Sequence, residues 1–308
     1  MSSLPRILLV GYAGQVGVEL QRSFADAELI RHDRDTVDLA DPDQVRAMVR
    51  AASPDVILNA AAYTAVDRTE SEPEAAMAVN ATAPGILAEE ALRTGALLVH
   101  YSTDYVFDGS KNAPWIETDE PNPLNVYGAS KLAGEMAVQQ VGGRYLIFRT
   151  SWVYGPHGNN FLLTMLRLAR ERKSLSIVDD QVGAPTSSIA LADATRAIVD
   201  GVLDGRYGPS EKIFGLYHMT CSGSVSWCGF ARAIFARAAL LLADKLPEVY
   251  PISSDEYVTP AKRPHNSILS NDKLFKCFDL RLSTLETGLD RVIYTLATQN
   301  AAPLSSAK

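Results

Sequence analysis

The first half of the chain alternates short apolar runs with longer segments in which apolar residues recur every three or four positions. The runs are RILLVG (6–11), ELIRHD (28–33), DVILNAA (55–61), ALLVHYST (96–103) and RYLIFRT (144–150). They carry Val, Ile and Leu without strict polar alternation, the pattern of strands covered on both faces. Between them, helices are predicted near 14–24, 41–52, 73–94 and 124–141. Such strand–helix alternation predicts an α/β fold with a doubly wound parallel sheet and right-handed crossovers.

Beyond about Thr150 the pattern loosens. Residues 151–161 read as a loop that leads into a helix, FLLTMLRLARER, and 174–187 as a short strand followed by a turn-rich loop. A further strand is predicted over 213–219 and a further helix over 224–243. The chain divides into a dinucleotide-binding domain over 1–150, a smaller C-terminal substrate-binding domain over 151–300 with a crossing back to the sheet, and a flexible tail over 301–308.

Composition narrows the function. The 308 residues are 47% hydrophobic and 21% charged, ordinary values for a chain with a real core. A net charge of −7 argues against nucleic acid or an anionic membrane surface as partner, and leaves small anionic ligands open. No stretch reaches the roughly 18 apolar residues of a membrane span. The N-terminus lacks the apolar core of a secretory signal, so a cytoplasmic protein is expected. Cys221, Cys228 and Cys277 match neither a disulfide framework nor a zinc pattern. His100, His157, His218 and His265 have no metal-ligand spacing, and no metal is expected.

Directly after the first strand comes Gly11-Tyr-Ala-Gly14-Gln15-Val16-Gly17. Gly11 permits a tight turn, Gly14 close approach to a pyrophosphate, and Gly17 packing of helix on strand. The phosphates would sit at the helix N-terminus, where free N–H groups and the dipole favour negative charge. The spacing is G-x-x-G-x-x-G rather than G-x-G-x-x-G, which a plain turn can also carry, and it is the place between first strand and first helix that points to a Rossmann-like sheet. Asp33 and Arg34 end the second strand: an acid there suits the ribose diol of NADH, an arginine the 2′-phosphate of NADPH, and both cofactors stay open. Asp38 and Leu39 follow as candidates beside the adenine. Ala60, Ala61 and Ala62, after the third strand, are small where a cofactor backbone could pass, with plain close packing as the competing reading.

Tyr127-Gly-Ala-Ser-Lys131 places a phenol and an ammonium four residues apart, on one face of a helix. A nearby ammonium is expected to lower the tyrosine pKa and make it a usable proton donor. The strand before it ends in Ser102-Thr103-Asp104. One hydroxyl is expected to cap the turn and the other, Thr103, to contact substrate. The implied chemistry is hydride transfer from a nicotinamide to a carbonyl carbon, with Tyr127 protonating the oxygen.

With these residues placed, the chain resembles the extended short-chain dehydrogenase/reductases. The likeness runs through GYAGQVGVEL, NAAAYTAVDRTESEPE, HYSTDYVFDG, PLNVYGASKLAGE, FRTSWVYGPHGNNF, VDDQVGAPT and RPHNSIL. The resemblance implies Thr103, Tyr127 and Lys131 as a catalytic triad. It sets Thr64, Val66, Tyr105 and Trp152 beside a nucleotide-sugar substrate, with Asn160 and Gln181 as further contacts. The implied reaction is reduction of the C4 ketone of dTDP-4-dehydro-β-L-rhamnose. Arg263 is a candidate for the substrate phosphates. Some members of the class are magnesium-linked dimers; Glu19 stands at one such position, while Ser188-Ile189-Ala190 offers no acid at another. A homodimer is the candidate assembly. Two other functions stay open: a non-catalytic nucleotide-binding regulatory subunit of the methionine adenosyltransferase type, and a nucleotide-sugar epimerase or dehydratase.

Overall fold

The structure is a computed structural model that describes residues 4–208, 213–242 and 246–301. Five strands come first: β1 (Arg6–Val10), β2 (Glu28–His32), β3 (Val56–Asn59), β4 (Leu97–Thr103) and β5 (Tyr145–Thr150). Helices α1 (Gln15–Ser23) and α2 (Pro42–Ala52) link the first three. Between β3 and β4 lie α3 (Val66–Thr69), α4 (Pro73–Met77) and α5 (Ala83–Thr94), and between β4 and β5 lies α6 (Val126–Val141). Then come β6 (Val153–Tyr154), α7 (Phe161–Glu171), β7 (Ser174–Val178), β8 (Val182–Gly183), β9 (Thr186–Ser187), α8 (Ser188–Leu203) and β10 (Gly215–His218). The last elements are β11 (Val225–Ser226), α9 (Trp227–Ala238), β12 (Glu248–Ile252), β13 (Asn266–Ser267), α10 (Asp272–Phe278) and α11 (Leu285–Ala301).

The central sheet has the order β10-β5-β4-β3-β1-β2, and every pairing is parallel. Its apolar runs are continuous because alternate residues feed two cores. Ile7, Leu9, Val56, Leu58, Val99 and Phe148 face one; Leu8, Val10, Ile57, Leu98 and Ile147 face the other. The first core is closed by α1 and α8 through Leu20, Leu191 and Ile198, the second by α2 and α5 through Val45, Val49, Ile86 and Leu87. Each such side chain, fully buried, contributes roughly 1.5–3 kcal/mol. The architecture is the expected Rossmann-like α/β fold.

Local signals account for most boundaries. Asp41 caps α2 by accepting from Asp43 N at 2.9 Å and Gln44 N at 3.2 Å, with Pro42 in the first turn. The single helix predicted over 73–94 is two, joined by a π-helical turn, Ala78–Thr82. That turn holds Asn80, whose amide clasps the Tyr63 backbone: Oδ1 lies 2.8 Å from Tyr63 N and Nδ2 3.1 Å from Tyr63 O. A widened turn of this kind is often found at functional sites, and here it pins the chain leaving β3.

Helix α8 is not marked by the sequence pattern. It is buried on most sides, from Ser188 to Val202, and therefore shows no amphipathic period. The strand predicted over 213–219 joins the sheet as β10 beside β5. A further core, built from Leu162, Leu166, Ile177, Phe230, Ile234, Leu289 and Val292, lies among α7, β7, α9 and α11. Among the described residues, no helix is long and apolar enough to cross a membrane. Of the tail predicted to be flexible, Ala301 closes α11 and 302–308 lie outside the described residues.

Candidate active site

The glycine loop joins β1 to α1 at the C-terminal edge of the sheet. Gly11 sits at φ +84, and a Cβ on it would come within 2.6 Å of Ala61 N. A Cβ on Gly17 would meet Gly11 O at 2.1 Å, so the protein's own packing requires both glycines. Gly14 differs: a Cβ there would meet only Gly11 O, at 3.4 Å. The protein's own packing therefore does not require a glycine there. Gly14 is the N-cap of α1, and no side chain caps that end. The first amides of α1, at Gln15, Val16 and Gly17, keep the free donors and dipole that suit a diphosphate. Gln15 Nε2 also donates to Asn159 O at 3.3 Å, tying this end to the loop beyond β5.

Asp33 and Arg34 lie on the turn after β2, with the Asp33 carboxylate accepting from Asp35 N at 3.0 Å and Arg34 exposed. Asp38 accepts from Ala40 N at 2.9 Å, and Leu39 packs on the second core. Ala60 N donates to Val10 O, Ala61 abuts Gly11, and Ala62 is half-buried beside them. These residues, from the loop to the alanines, are the ones that could hold a dinucleotide.

Thr103 ends β4 and Tyr127 and Lys131 lie one turn apart on α6. Helix α6 is set in place by Asn125, whose Oδ1 accepts from Gly128 N at 2.7 Å while its Nδ2 donates to Lys262 O at 2.7 Å. Lys131 is buried, with Nζ donating to Tyr101 O at 2.7 Å. Burial pulls its pKa down to about 8, against the charge of Glu135, which raises it. Burial pushes Tyr127 up to about 12; the Thr103 hydroxyl lowers it and the charge of Asp104 raises it further. The expected lowering of Tyr127 by Lys131 is thus not what the structure has, because the ammonium is turned onto a carbonyl and desolvation dominates.

The two hydroxyls divide their work differently from the expectation. Thr103 itself caps the turn, accepting from Tyr105 N at 3.2 Å, and donates to Asp104 Oδ1 at 3.1 Å. Ser102 points inward and donates to Glu135. Glu135 also holds Arg149 through two bonds, at 2.8 and 2.6 Å, with both side chains 3% exposed or less. Sequence reasoning missed this pair, although an arginine inside an apolar strand run and a glutamate four residues after Lys131 were its signals.

Among the residues expected beside a substrate, Tyr105 meets Tyr127 edge to face, with ring centroids 5.8 Å apart. Thr64 is exposed and Val66 opens α3; the next residue, Asp67, binds Arg263 at 3.0 Å, and Arg263 in turn faces Tyr105. Trp152 stacks flat on Trp227, with centroids 3.5 Å apart. Trp227, which sequence reasoning did not single out, continues this wall to Phe161. Gln181 is buried just ahead of β8. The Asn160 amide caps α7 through Leu163 N at 3.0 Å and donates to Gly155 O and His157 O, so it shapes the loop from within.

The carboxylates near Glu19 are engaged by arginines. Glu19 is bound by Arg22 at 2.8 Å, and Asp193 on α8 receives both Arg22 and Arg291, the latter at 2.6 Å. Guanidinium groups hold Glu19 Oε2 and both Asp193 oxygens. Among the described residues, no group of three or more His, Cys, Asp or Glu is placed to hold a metal ion.

Comparison with known proteins identifies the family. The family described as RmlD substrate binding domain matches residues 5–298. A dTDP-4-dehydrorhamnose reductase of Burkholderia thailandensis is 48% identical over 302 residues, covering 96% of this chain and 100% of the relative. One of Escherichia coli (strain K12) is 45% identical over 303 residues, covering 96% and 99%. A crystal structure of dTDP-4-dehydrorhamnose reductase from Bacillus anthracis in complex with NADP superposes with a TM-score of 0.85 at 35% identity, covering 95% of this chain and 99% of that one. With a Rossmann-like sheet, a bare helix N-terminus, Thr103 at the end of β4 and Tyr127 and Lys131 on α6, the chain belongs to the RmlD substrate binding domain family.

Proposed function

We propose that this chain reduces the C4 ketone of dTDP-4-dehydro-β-L-rhamnose to dTDP-β-L-rhamnose, with NADPH or NADH as hydride donor. The observation that carries the reading is the meeting of Thr103, Tyr127 and Lys131 at the ends of β4 and α6, two strands from the glycine loop. The NADP in the Bacillus anthracis relative and the exposed Arg34 favour the phosphorylated cofactor. Asp33 keeps NADH in the reading.

When bound, the nicotinamide supplies the hydride to C4. The chain's own residues do the rest. Thr103 and Tyr127 hold the C4 oxygen, and Tyr127 gives it the phenolic proton as negative charge develops there. A phenol held up to about 12 is protonated at neutral pH, and an alkoxide is the stronger base, so the transfer runs downhill. Lys131, one turn along α6 with its Nζ on Tyr101 O, keeps a positive charge on the same helix face as the phenolate that results. Tyr105 and Trp152 offer flat faces to the sugar and base, and Thr64, Val66 and Gln181 line the same side. The reading is of a cytoplasmic enzyme, with a homodimer as the candidate assembly.

The test is oxidation of NADPH, and then NADH, by the purified protein with freshly made dTDP-4-dehydro-L-rhamnose, beside Tyr127→Phe. Wild-type turnover should fall by roughly 10²–10⁴-fold in the variant, with cofactor binding kept. Cofactor that stays bound without net oxidation would point to an epimerase or dehydratase. Cofactor binding with no turnover of any nucleotide sugar would point to a regulatory subunit.

A further inference from the structure

Asp104 follows Thr103 directly and is 2% exposed, in the short turn Asp104–Val106 that leaves β4. Its Oδ1 lies 3.1 Å from Thr103 Oγ1. Its Oδ2 has no well-formed hydrogen bond among the described residues, and the hydroxyls of Ser151 and Ser267 that face it are equally unpaired. Buried carboxylates ordinarily collect donors or a cation. The titratable and charged groups around this one are Tyr105 on the same turn, Tyr127 and beyond it Lys131 on α6, and Arg263, which faces Tyr105 from the segment before β13. Lys131 and Arg263 are engaged with Tyr101 and Asp67. Burial pushes the carboxyl up to about 6, with Ser267, Thr103 and Ser151 pulling it down.

Thr103 has one proton and two lone pairs. An ionised Asp104 takes that proton in a hydrogen bond. One lone pair then accepts from Tyr105 N, and the other is free to draw the Tyr127 hydroxyl away from substrate. A protonated Asp104 instead donates to Thr103 Oγ1. Both lone pairs are then filled, the Thr103 proton turns outward, and Tyr127 is released. A ketone oxygen only accepts, so the second arrangement is the one that holds it.

We propose that Asp104 is a positioning residue whose own proton sets the direction in which the Thr103 hydroxyl donates. The protonated form is the one competent for reduction. This rests on the reduction assigned above to Thr103 and Tyr127.

The experiment is the pH profile of kcat/KM for NADPH oxidation from pH 5 to 9, in the wild type and Asp104→Asn. An amide keeps the shape and can donate to Thr103 without titrating. The wild type should lose activity by about tenfold per pH unit above about 6, and the variant should hold its activity through that range and fall only above about 8, where Lys131 loses its proton. A limb near pH 6 that persists in the variant overturns the proposal. So does a uniform loss of activity with the profile unchanged. No oxidation by the wild type at any pH overturns the reduction and this proposal together, which separates the two failures. Should the variant not fold, infrared difference spectra of wild-type protein labelled with ¹³C-aspartate give the second readout. A buried carboxyl stretch that vanishes between pH 5 and 7 is expected, and its absence overturns the proposal.

Discussion

Gly183 lies against the indole of Trp152 so closely that a Cβ at 183 would come within 2.5 Å of Trp152 Cε2. The opposite constraint is the flat stack on Trp227. Trp152 is held between them at φ +48, a left-handed conformation that costs a non-glycine residue on the order of 1–3 kcal/mol. Under the proposed reading, an aromatic fixed in this way would serve as a rigid wall for a sugar ring. Gly183→Ala should force the indole off Trp227, raise KM for the nucleotide sugar by about tenfold with a smaller effect on kcat, and lower stability by about 1–3 kcal/mol. Steady-state kinetics and thermal unfolding check it. An unchanged KM with the expected loss of stability would remove Trp152 from the substrate side.

The loop glycines should separate folding from cofactor binding. At Gly14 the backbone is extended, φ −74 and ψ 166, and a methyl group has room. Gly14→Ala should fold like the wild type and bind NADPH at least about tenfold more weakly, because the methyl stands where a diphosphate must approach. Gly17→Ala should instead lower the melting temperature, since its Cβ meets backbone at 2.1 Å. Thermal unfolding and fluorescence titration with NADPH distinguish the two; equal cofactor affinity in Gly14→Ala would contradict the cradle.

Lys131 should mark the alkaline side of the rate profile. With its pKa pulled down to about 8 by burial, the ammonium is present below that pH and is lost as pH rises through it. The rate should fall there. The Glu135 charge raises this pKa, so Glu135→Gln should move the limb to lower pH. Profiles of kcat from pH 7 to 10 measure both, and a limb at the same pH in the variant would exclude Glu135 as the cause.

Arg149 and Glu135 should behave as a buried pair whose halves depend on each other. Removing one partner leaves an unpaired charge out of water, so Glu135→Ala should cost about 3–5 kcal/mol in urea unfolding. The double replacement Glu135→Met with Arg149→Met should recover most of that loss, since it removes both charges and keeps the volume. A double variant no more stable than the single one would show that Arg149 serves the fold in another way, such as its contact over Phe107 at 5.0 Å.

Much of this molecule is written locally. The continuous apolar runs of β1, β3, β4 and β5 announce strands covered on both faces because each residue is buried whichever way it points. The spacing of Gly11, Gly14 and Gly17 and the four-residue step from Tyr127 to Lys131 are legible because a turn and a helix convert sequence spacing directly into position. What the sequence by itself determined was therefore the sheet, its loop at the first helix, and the residues on one face of α6. The tertiary structure alone decided the rest. Helix α8 had no period to read, because it is buried on most of its surface between α1 and the sheet. The pairing of Trp152 with Trp227, 75 residues on, and the approach of Ser267 to Asp104 depend on how distant segments cross. The proton affinities were decided there too. Burial, which spacing does not encode, outweighs the Tyr127–Lys131 neighbourhood and leaves a tyrosine that holds its proton and a carboxyl that can keep one.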